Sequence, residues 1–222
     1  MFKTLKYIFS AIADLIFPYK CVICHKENEI ICQKCLKSLK PLPCNIIEPR
    51  DGIDKIYCYE AYTGNLKTVI QKLKFNKKQK IADILGEKMA EILKVNLAGL
   101  ENMILIPVPL HKKREKERGF NQSLLICKKI SEKLNIPYLQ DNIIRTKETK
   151  YMYRLSKKER FANVKQAFKI VNPESIKNKT VIIIDDIFTT GATISQIAKL
   201  LKKNGINKVI GATVAMATLN TK

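Results

Sequence analysis

A mostly parallel, doubly wound α/β sheet is the fold this sequence predicts, and three observations carry that expectation. Apolar runs of strand length alternate with amphipathic stretches of helical period along residues 51–222, the pattern of a sheet with helices packed on both faces. The run Val181-Ile182-Ile183-Ile184 is apolar without alternation, as a strand buried on both faces is. The chain has 222 residues, 46% of them apolar, enough for one domain of ordinary size with a small appendage.

The division expected is residues 1–50 for a helix, a metal-binding unit and a linker, and residues 51–222 for the α/β domain. Formal charge is +21 and unevenly spread: residues 1–60 hold nine basic and seven acidic side chains, residues 61–222 hold 32 and 13. The α/β part therefore attracts a polyanion, either a phosphate-rich small molecule or nucleic acid. A proteome that puts lysine on every solvated face is the plainer account of many of these charges. Within Met1 to Tyr19 the apolar run Ile8 to Phe17 is interrupted by Asp14 and is too short to span a bilayer. No small-residue cleavage site precedes Pro18, so a signal peptide is not expected. Ile8, Ile12, Leu15 and Ile16 recur at helical spacing, which predicts a short amphipathic helix packed on the core, with membrane-surface contact as the alternative. The expectation is a cytoplasmic protein with no stable membrane insertion, where cysteines serve metal rather than disulfides.

Seven cysteines are present, and Cys21, Cys24, Cys32 and Cys35 form C-x2-C-x7-C-x2-C. Each C-x-x-C turn aims two thiolates at one point, and two such turns supply the four sulfurs of a structural Zn2+ site. Closed four-sulfur ligation leaves no position for catalysis, and metal binding would supply most of the folding energy of so small a unit. Iron–sulfur ligation or redox chemistry are the alternatives. His25 reads as solvent-facing, Cys44 as a spare ligand, and Cys58 and Cys127 as buried small hydrophobes.

Pro41, Pro43, Pro49 and Asp51-Gly52 mark a linker. Ile56 to Tyr62 reads as a strand, and Thr63 caps a helix from about Gly64 to Lys74. Ile81 to Val95 is a second amphipathic helix, and Asn102 to Pro107 a strand that runs into Pro107-Val108-Pro109-Leu110. Residues 111–118 read as a polar, basic loop, and a helix follows from Gly119-Phe120-Asn121-Gln122 to Leu134. Short strands are expected at Ile136 to Leu139, Asn142 to Ile144 and Ala167 to Val171. Thr146 to Lys158 lacks periodicity and reads as a lid or a mobile loop. The strand at 181–184, a helix from Thr193 to Lys203 and a strand from Lys208 to Ala217 complete the pattern.

Asp185 and Asp186 stand at the carboxyl end of the 181–184 strand, where open α/β sheets bind ligands. Thr189, Thr190, Gly191, Ala192 and Thr193 then open a helix, whose free amides and dipole suit a phosphate. The acids suit sugar hydroxyls or a divalent cation. A plain βα turn with a helix cap is the bland alternative. The stretch resembles the phosphoribosyl pyrophosphate (PRPP) motif of type I phosphoribosyltransferases: four apolar residues, two acids, two variable positions, Thr-Thr-Gly.

Val108, Pro109, Leu110 and His111 form a stiff turn before basic side chains, suited to pyrophosphate, and one of its X-Pro bonds is a candidate for the cis form. Arg118 can grip phosphate bidentately beside Gly119, while Asn121 and Gln122 either hydrogen-bond a ligand or cap a helix. Lys147, Lys150, Arg154, Lys157, Lys158 and Arg160 could neutralise departing pyrophosphate, and Tyr151 and Tyr153 among them could stack on bases.

With Leu15-Ile16-Phe17-Pro18, Leu73-Lys74-Phe75, Pro107 to His111, Glu117 to Gln122, Leu155-Ser156, Arg160, Asn163-Val164 and Phe168 added, nearly the whole chain resembles the ComF (ComFC) family, a four-cysteine metal unit joined to a phosphoribosyltransferase-like domain. The resemblance implies binding of PRPP with Mg2+ and transfer of phosphoribose to a nitrogen nucleophile, with Asp185, Asp186 and Arg118 in the reacting site. It also implies a part in natural transformation, with single-stranded DNA and other competence proteins, such as a helicase, as partners. The rival reading is a non-catalytic single-stranded-DNA-binding factor for which PRPP is a regulator or nothing at all. Two departures stand out. Met152 occupies a position usually held by Gln in the family, and a further C-x-x-C after the linker is absent, which favours one zinc over two.

Overall fold

The computed structural model describes residues 19–42, 46–47, 49, 51–73, 79–149 and 155–217. The expected helix at 8–16, Cys44, Lys150, Met152 and Arg154 lie outside them. The described chain runs through α1 (Gln33–Lys37), β1 (Ile46–Ile47), β2 (Lys55–Ala61), α2 (Gly64–Leu73), α3 (Gln79–Asn96), β3 (Met103–Pro107), α4 (Lys112–Arg118), α5 (Gln122–Leu134), β4 (Ile143–Arg145), α6 (Lys157–Val164), β5 (Phe168–Ile170), β6 (Thr180–Phe188), α7 (Ala192–Lys203) and β7 (Lys208–Met216).

Five strands form one sheet in the order β1-β2-β7-β6-β3. The pairs β2–β7, β7–β6 and β6–β3 are parallel, and only β1 runs antiparallel, at the edge. The expected mostly parallel sheet is what the chain forms. Its central strands are buried on both faces, so their side chains alternate between two apolar layers. Ile182, Ile184, Ile210 and Ala212 face Leu66, Ile70, Leu85, Met89, Ile126 and Ile130 of α2, α3 and α5. Val181, Ile183 and Val209 face Ile194, Ile197, Ala198 and Leu201 of α7, together with Phe168 and Ile170 of β5. Gly86 lets α3 approach α5 closely, because a Cβ there would lie 2.6 Å from the Lys129 Cβ.

Some elements differ from expectation. Residues 112–118 are helical rather than a loop, capped by His111, whose side chain accepts from the Lys113 amide. Gly119 closes that helix at φ 82, the left-handed stop that glycine supplies. The strand at 136–139 is reduced to a bridge between Tyr138 and Leu105. The linker contributes β1, which pairs with β2 at Ile46↔Tyr57. The lid or mobile loop expected over Thr146 to Lys158 gives way at its end to α6, which starts at Lys157, and Ser156 and Glu159 make a reciprocal capping box there. No peptide bond is cis among the described residues, so the Pro107 and Pro109 bonds are trans. Among the described residues no helix is long and apolar enough to cross a membrane.

Candidate functional site

β6 outlasts its neighbour on one side, and that difference exposes the acid pair. β3 ends at Pro107, opposite Ile184, whereas β7 continues alongside β6 until Met216 meets Phe188. Asp185 and Asp186 therefore follow the point where the β3 flank of the strand stops being covered. The strand extends past both acids to Phe188, so they are strand residues rather than the first residues of a loop. The chain entering from β3 is tied in place, since the Val108 amide donates to the Ile184 carbonyl at 2.9 Å.

A continuous path of hydrogen bonds connects the Pro-rich turn with the acids. Asn121 Nδ2 donates to the Val108 carbonyl at 3.0 Å, and Asn121 Oδ1 accepts from the Ser123 amide at 3.0 Å. Ser123 Oγ donates to Asp185 Oδ1 at 2.9 Å, and the same oxygen accepts from the Asp186 amide at 2.9 Å. Asn121 thus caps α5 and tethers the turn at once, so its polar groups are spent on positioning. Asp185 is half-buried and its orientation fixed, while Asp186 is only 5% exposed. Asp185, held by two donors, and the buried Asp186 beside it present oxygen acceptors, the chemistry of vicinal hydroxyls or a hard cation.

The turn beyond the acids is tight. Gly191 sits at φ 79 as the cap of α7, and a Cβ there would lie 2.7 Å from Phe188 Cζ. Only glycine meets both demands. Thr190 is buried, and its Oγ1 accepts from the Ala192 amide at 3.4 Å. The first i→i−4 bond of α7 runs from the Ser195 amide to the Gly191 carbonyl at 2.8 Å. First-turn amides before it have no partner carbonyl within the helix, and they carry the positive end of its dipole. One strand–turn–helix segment thus carries the acid pair and Thr189 to Thr193.

The remaining sequence candidates divide. Val108 and Pro109 are buried, and Leu110 and His111 are half-buried next to them. Arg118 Nη1 donates to Gln122 Oε1 at 2.6 Å, holding the end of α4 to the start of α5. Lys147 is exposed, and Arg160 Nε donates to the Leu155 carbonyl at 3.0 Å, a contact within its own helix start. Three residues that sequence reasoning missed converge near the acids. Arg114 Nη2 and Arg145 Nη2 donate to the carbonyl and the hydroxyl of Thr149. Burial, the largest influence, and the neighbouring Arg114 hold Arg145 down to about 10, against the opposing pull of Asp185. A basic residue closing the apolar run Ile143-Ile144 was the available signal.

The cysteine unit is separate in chemistry but not in packing. Cys21, Cys24, Cys32 and Cys35 place their sulfurs within 4.8 Å of one another. Burial pushes the Cys21 thiol up, but N–H donation from Cys24, Cys32 and Ile23 outweighs it and brings the thiol to about 6. Cys35 is pushed up to about 12 by burial and by its three cysteine neighbours. Four sulfurs this close cannot all ionise without a cation among them. The donor set could hold a metal such as zinc. His25 is exposed and stands apart from the cluster. Cys58 and Cys127 are buried in β2 and α5 as expected. Cys21, Cys32, Cys35 and Leu39 share one buried cluster with Tyr57 and Tyr59 of β2. Tyr59 donates its hydroxyl to the Leu39 carbonyl at 2.8 Å.

The phosphoribosyl transferase domain family matches residues 121–220, a stretch that starts at the Asn121 cap and includes β7. Competence protein F of Haemophilus influenzae is 29% identical over 218 residues, covering 87% of this chain and 95% of that protein. DNA utilization protein YhgH of Escherichia coli O157:H7 is 32% identical over 194 residues, covering 83% of this chain and 85% of that one. A hypoxanthine phosphoribosyltransferase structure from Staphylococcus aureus overlaps 68% of this chain and 76% of its own, at 14% identity and a TM-score of 0.40.

Proposed function

The chain belongs to the ComF family of competence proteins, and from that premise we propose that it binds PRPP with magnesium and acts in the handling of incoming DNA. Asp185 and Asp186 accept hydrogen bonds from the ribose hydroxyls, and Thr189 to Thr193 cradle the 5-phosphate. The turn from Val108 to His111, with Arg118, lies toward the diphosphate. The reaction is displacement at the anomeric carbon. The bond to the diphosphate oxygen breaks, a bond to a nitrogen nucleophile forms, that nitrogen loses its proton, and pyrophosphate leaves. Magnesium, when bound with PRPP, offsets the charge of the leaving diphosphate. The chain's own residues bind and orient the sugar and shield a cation-like centre from water. The Cys21, Cys24, Cys32 and Cys35 cluster takes one structural zinc.

The observation that carries this reading is the adjacency of the acid pair, Asp185 oriented by Ser123 and Asp186 buried beside it, and the glycine-capped start of α7. Calorimetric titration of the zinc-loaded protein with PRPP, with and without magnesium, tests it. Magnesium-dependent binding that is lost in the double variant Asp185→Asn, Asp186→Asn is expected. Unchanged affinity in that variant sinks the ribose assignment.

A second reading is favoured by α4, where Lys112, Lys113 and Lys116 are exposed and no residue is buried. A solvated cationic helix beside the Pro-rich turn suits the backbone of single-stranded DNA. Affinity for an oligonucleotide that falls steeply with salt and is displaced by PRPP supports it; salt-insensitive binding counts against it.

A further inference from the structure

The cluster around Thr149 has no part in the assignments above. Thr149 is 6% exposed and holds two guanidinium groups, Arg114 on its carbonyl and Arg145 on its hydroxyl. Lys113 adds an ion pair to the preceding Glu148 at 3.0 Å, which pins this segment to α4. The two arginines interact closely enough for Arg114 to disfavour the Arg145 charge, and Asp185 is close enough to favour it. The Arg145 guanidinium lies over the Phe168 ring at 5.5 Å. Its Nε is buried, with no hydrogen-bond partner among the described residues.

Such an arrangement is costly as it stands. Arginine stays charged in proteins, so two like charges share a partly desolvated place around Thr149, with Glu148 near Arg114 and Asp185 near Arg145 offsetting them in part. A buried donor without an acceptor adds a further penalty. A phosphate group relieves both, since its oxygens match the planar fork of donors and its charge offsets the pair. We propose that Arg114 and Arg145 form an anion site beside the acid pair that takes a phosphate group, with Arg145 Nε as the donor that completes it. This assignment rests on the PRPP reading for its setting. The phosphate comes either from the diphosphate of PRPP or from an acceptor that itself carries phosphate.

Arg145→Met keeps side-chain length and removes the charge, and Arg145→Lys keeps the charge and removes the fork. Both are compared with the wild type by calorimetry against magnesium PRPP, ribose 5-phosphate, and inorganic phosphate added to protein saturated with PRPP, with thermal melting as the folding control. A fall of roughly tenfold to hundredfold in PRPP affinity with unchanged ribose 5-phosphate affinity assigns the site to the diphosphate. Unchanged PRPP affinity with loss of phosphate binding to the PRPP-saturated protein assigns it to an acceptor phosphate. Equal weakening of PRPP and ribose 5-phosphate, or no change in any titration, overturns the proposal. If the wild type binds no PRPP, the reading above has failed, and magnesium pyrophosphate then becomes the probe. Pyrophosphate held by the wild type and lost in Arg145→Met keeps the anion site, and pyrophosphate held by neither overturns it. If Arg145→Met melts too low to titrate, Arg114→Met replaces it under the same criteria.

Discussion

Gly191→Ala is the perturbation for which the structure separates two costs. Gly191 has φ 79, and a Cβ there would stand 2.7 Å from Phe188 Cζ and 3.0 Å from Cε2. Phe188 is 2% exposed, at the end of β6, so its ring has little room to give. The left-handed backbone alone costs an alanine about 1 kcal/mol. Forcing an extra methyl against a packed ring adds about 1–3 kcal/mol. Gly205 is the internal control: its φ is 81, and nothing lies within 4 Å of the Cβ an alanine would place there. Gly205→Ala should therefore show the backbone cost alone, lowering Tm by about 3 °C, and Gly191→Ala by about 10 °C. Differential scanning calorimetry of the two variants beside the wild type reads the difference. PRPP titration should show a matching asymmetry, because only Gly191 shapes the turn between the acids and α7. Equal melting temperatures for the two variants would refute the claim that the Phe188 ring and the α7 cap are packed against each other.

Other expectations follow from the same geometry. Cys32→Ser should abolish zinc uptake, read by metal analysis, and lower Tm of the whole chain, because the cysteine cluster shares its buried layer with Tyr57 and Tyr59. Burial raises the Glu60 carboxyl to about 7 against a donor from Lys40 that lowers it; its folded value thus exceeds the unfolded one, the folded state holds the extra proton, and stability falls as pH rises from 4.5 through 7. Glu60→Gln should remove about 1 kcal/mol of that fall, an amount discounted because the carboxyl is partly solvated, and pH-dependent melts that remain identical in the two proteins would contradict it. Gly86→Ala gains about 1 kcal/mol of helix propensity but sets its Cβ 2.6 Å from the Lys129 Cβ; a net loss of stability in chemical denaturation is expected, and a net gain would show that α3 and α5 are not in such close contact.

What could be read from the chain was what local sequence encodes. The unbroken apolar strand, the acids after it and the glycine that opens α7 are adjacent in sequence, so 181–193 was readable as one device. The four cysteines were readable for the same reason, because each C-x-x-C pair is a single turn. Residues 112–118 have no buried face, so no periodicity marked them as helical. Their signals were the caps, His111 at one end and Gly119 at the other. At α6 a cue was present in the capping-box spacing of Ser156 and Glu159, but the lack of apolar periodicity over 146–158 pointed to a lid. Arg145 left only one signal, a basic residue closing the run Ile143-Ile144. Its contact with Phe168 and the influences of Arg114 and Asp185 depend on chain segments that meet only in the fold.

The same distinction explains how the site is assembled. The residues that would touch the ribose and its 5-phosphate sit on β6 and its turn, yet few of the bonds that hold them come from there. Ser123 of α5 orients Asp185, Asn121 anchors the turn that follows β3, and Ile184 receives the Val108 amide. α5 is itself seated by Ile126 and Ile130 against the sheet face that also carries Tyr57 and Tyr59, the residues on which the cysteine unit packs. A change at the cysteines therefore reaches Asp185 through a shared buried layer, by way of the face on which α5 rests. Along this path the metal would act on the site through stability, since none of its four sulfur ligands belongs to the acid-pair crevice.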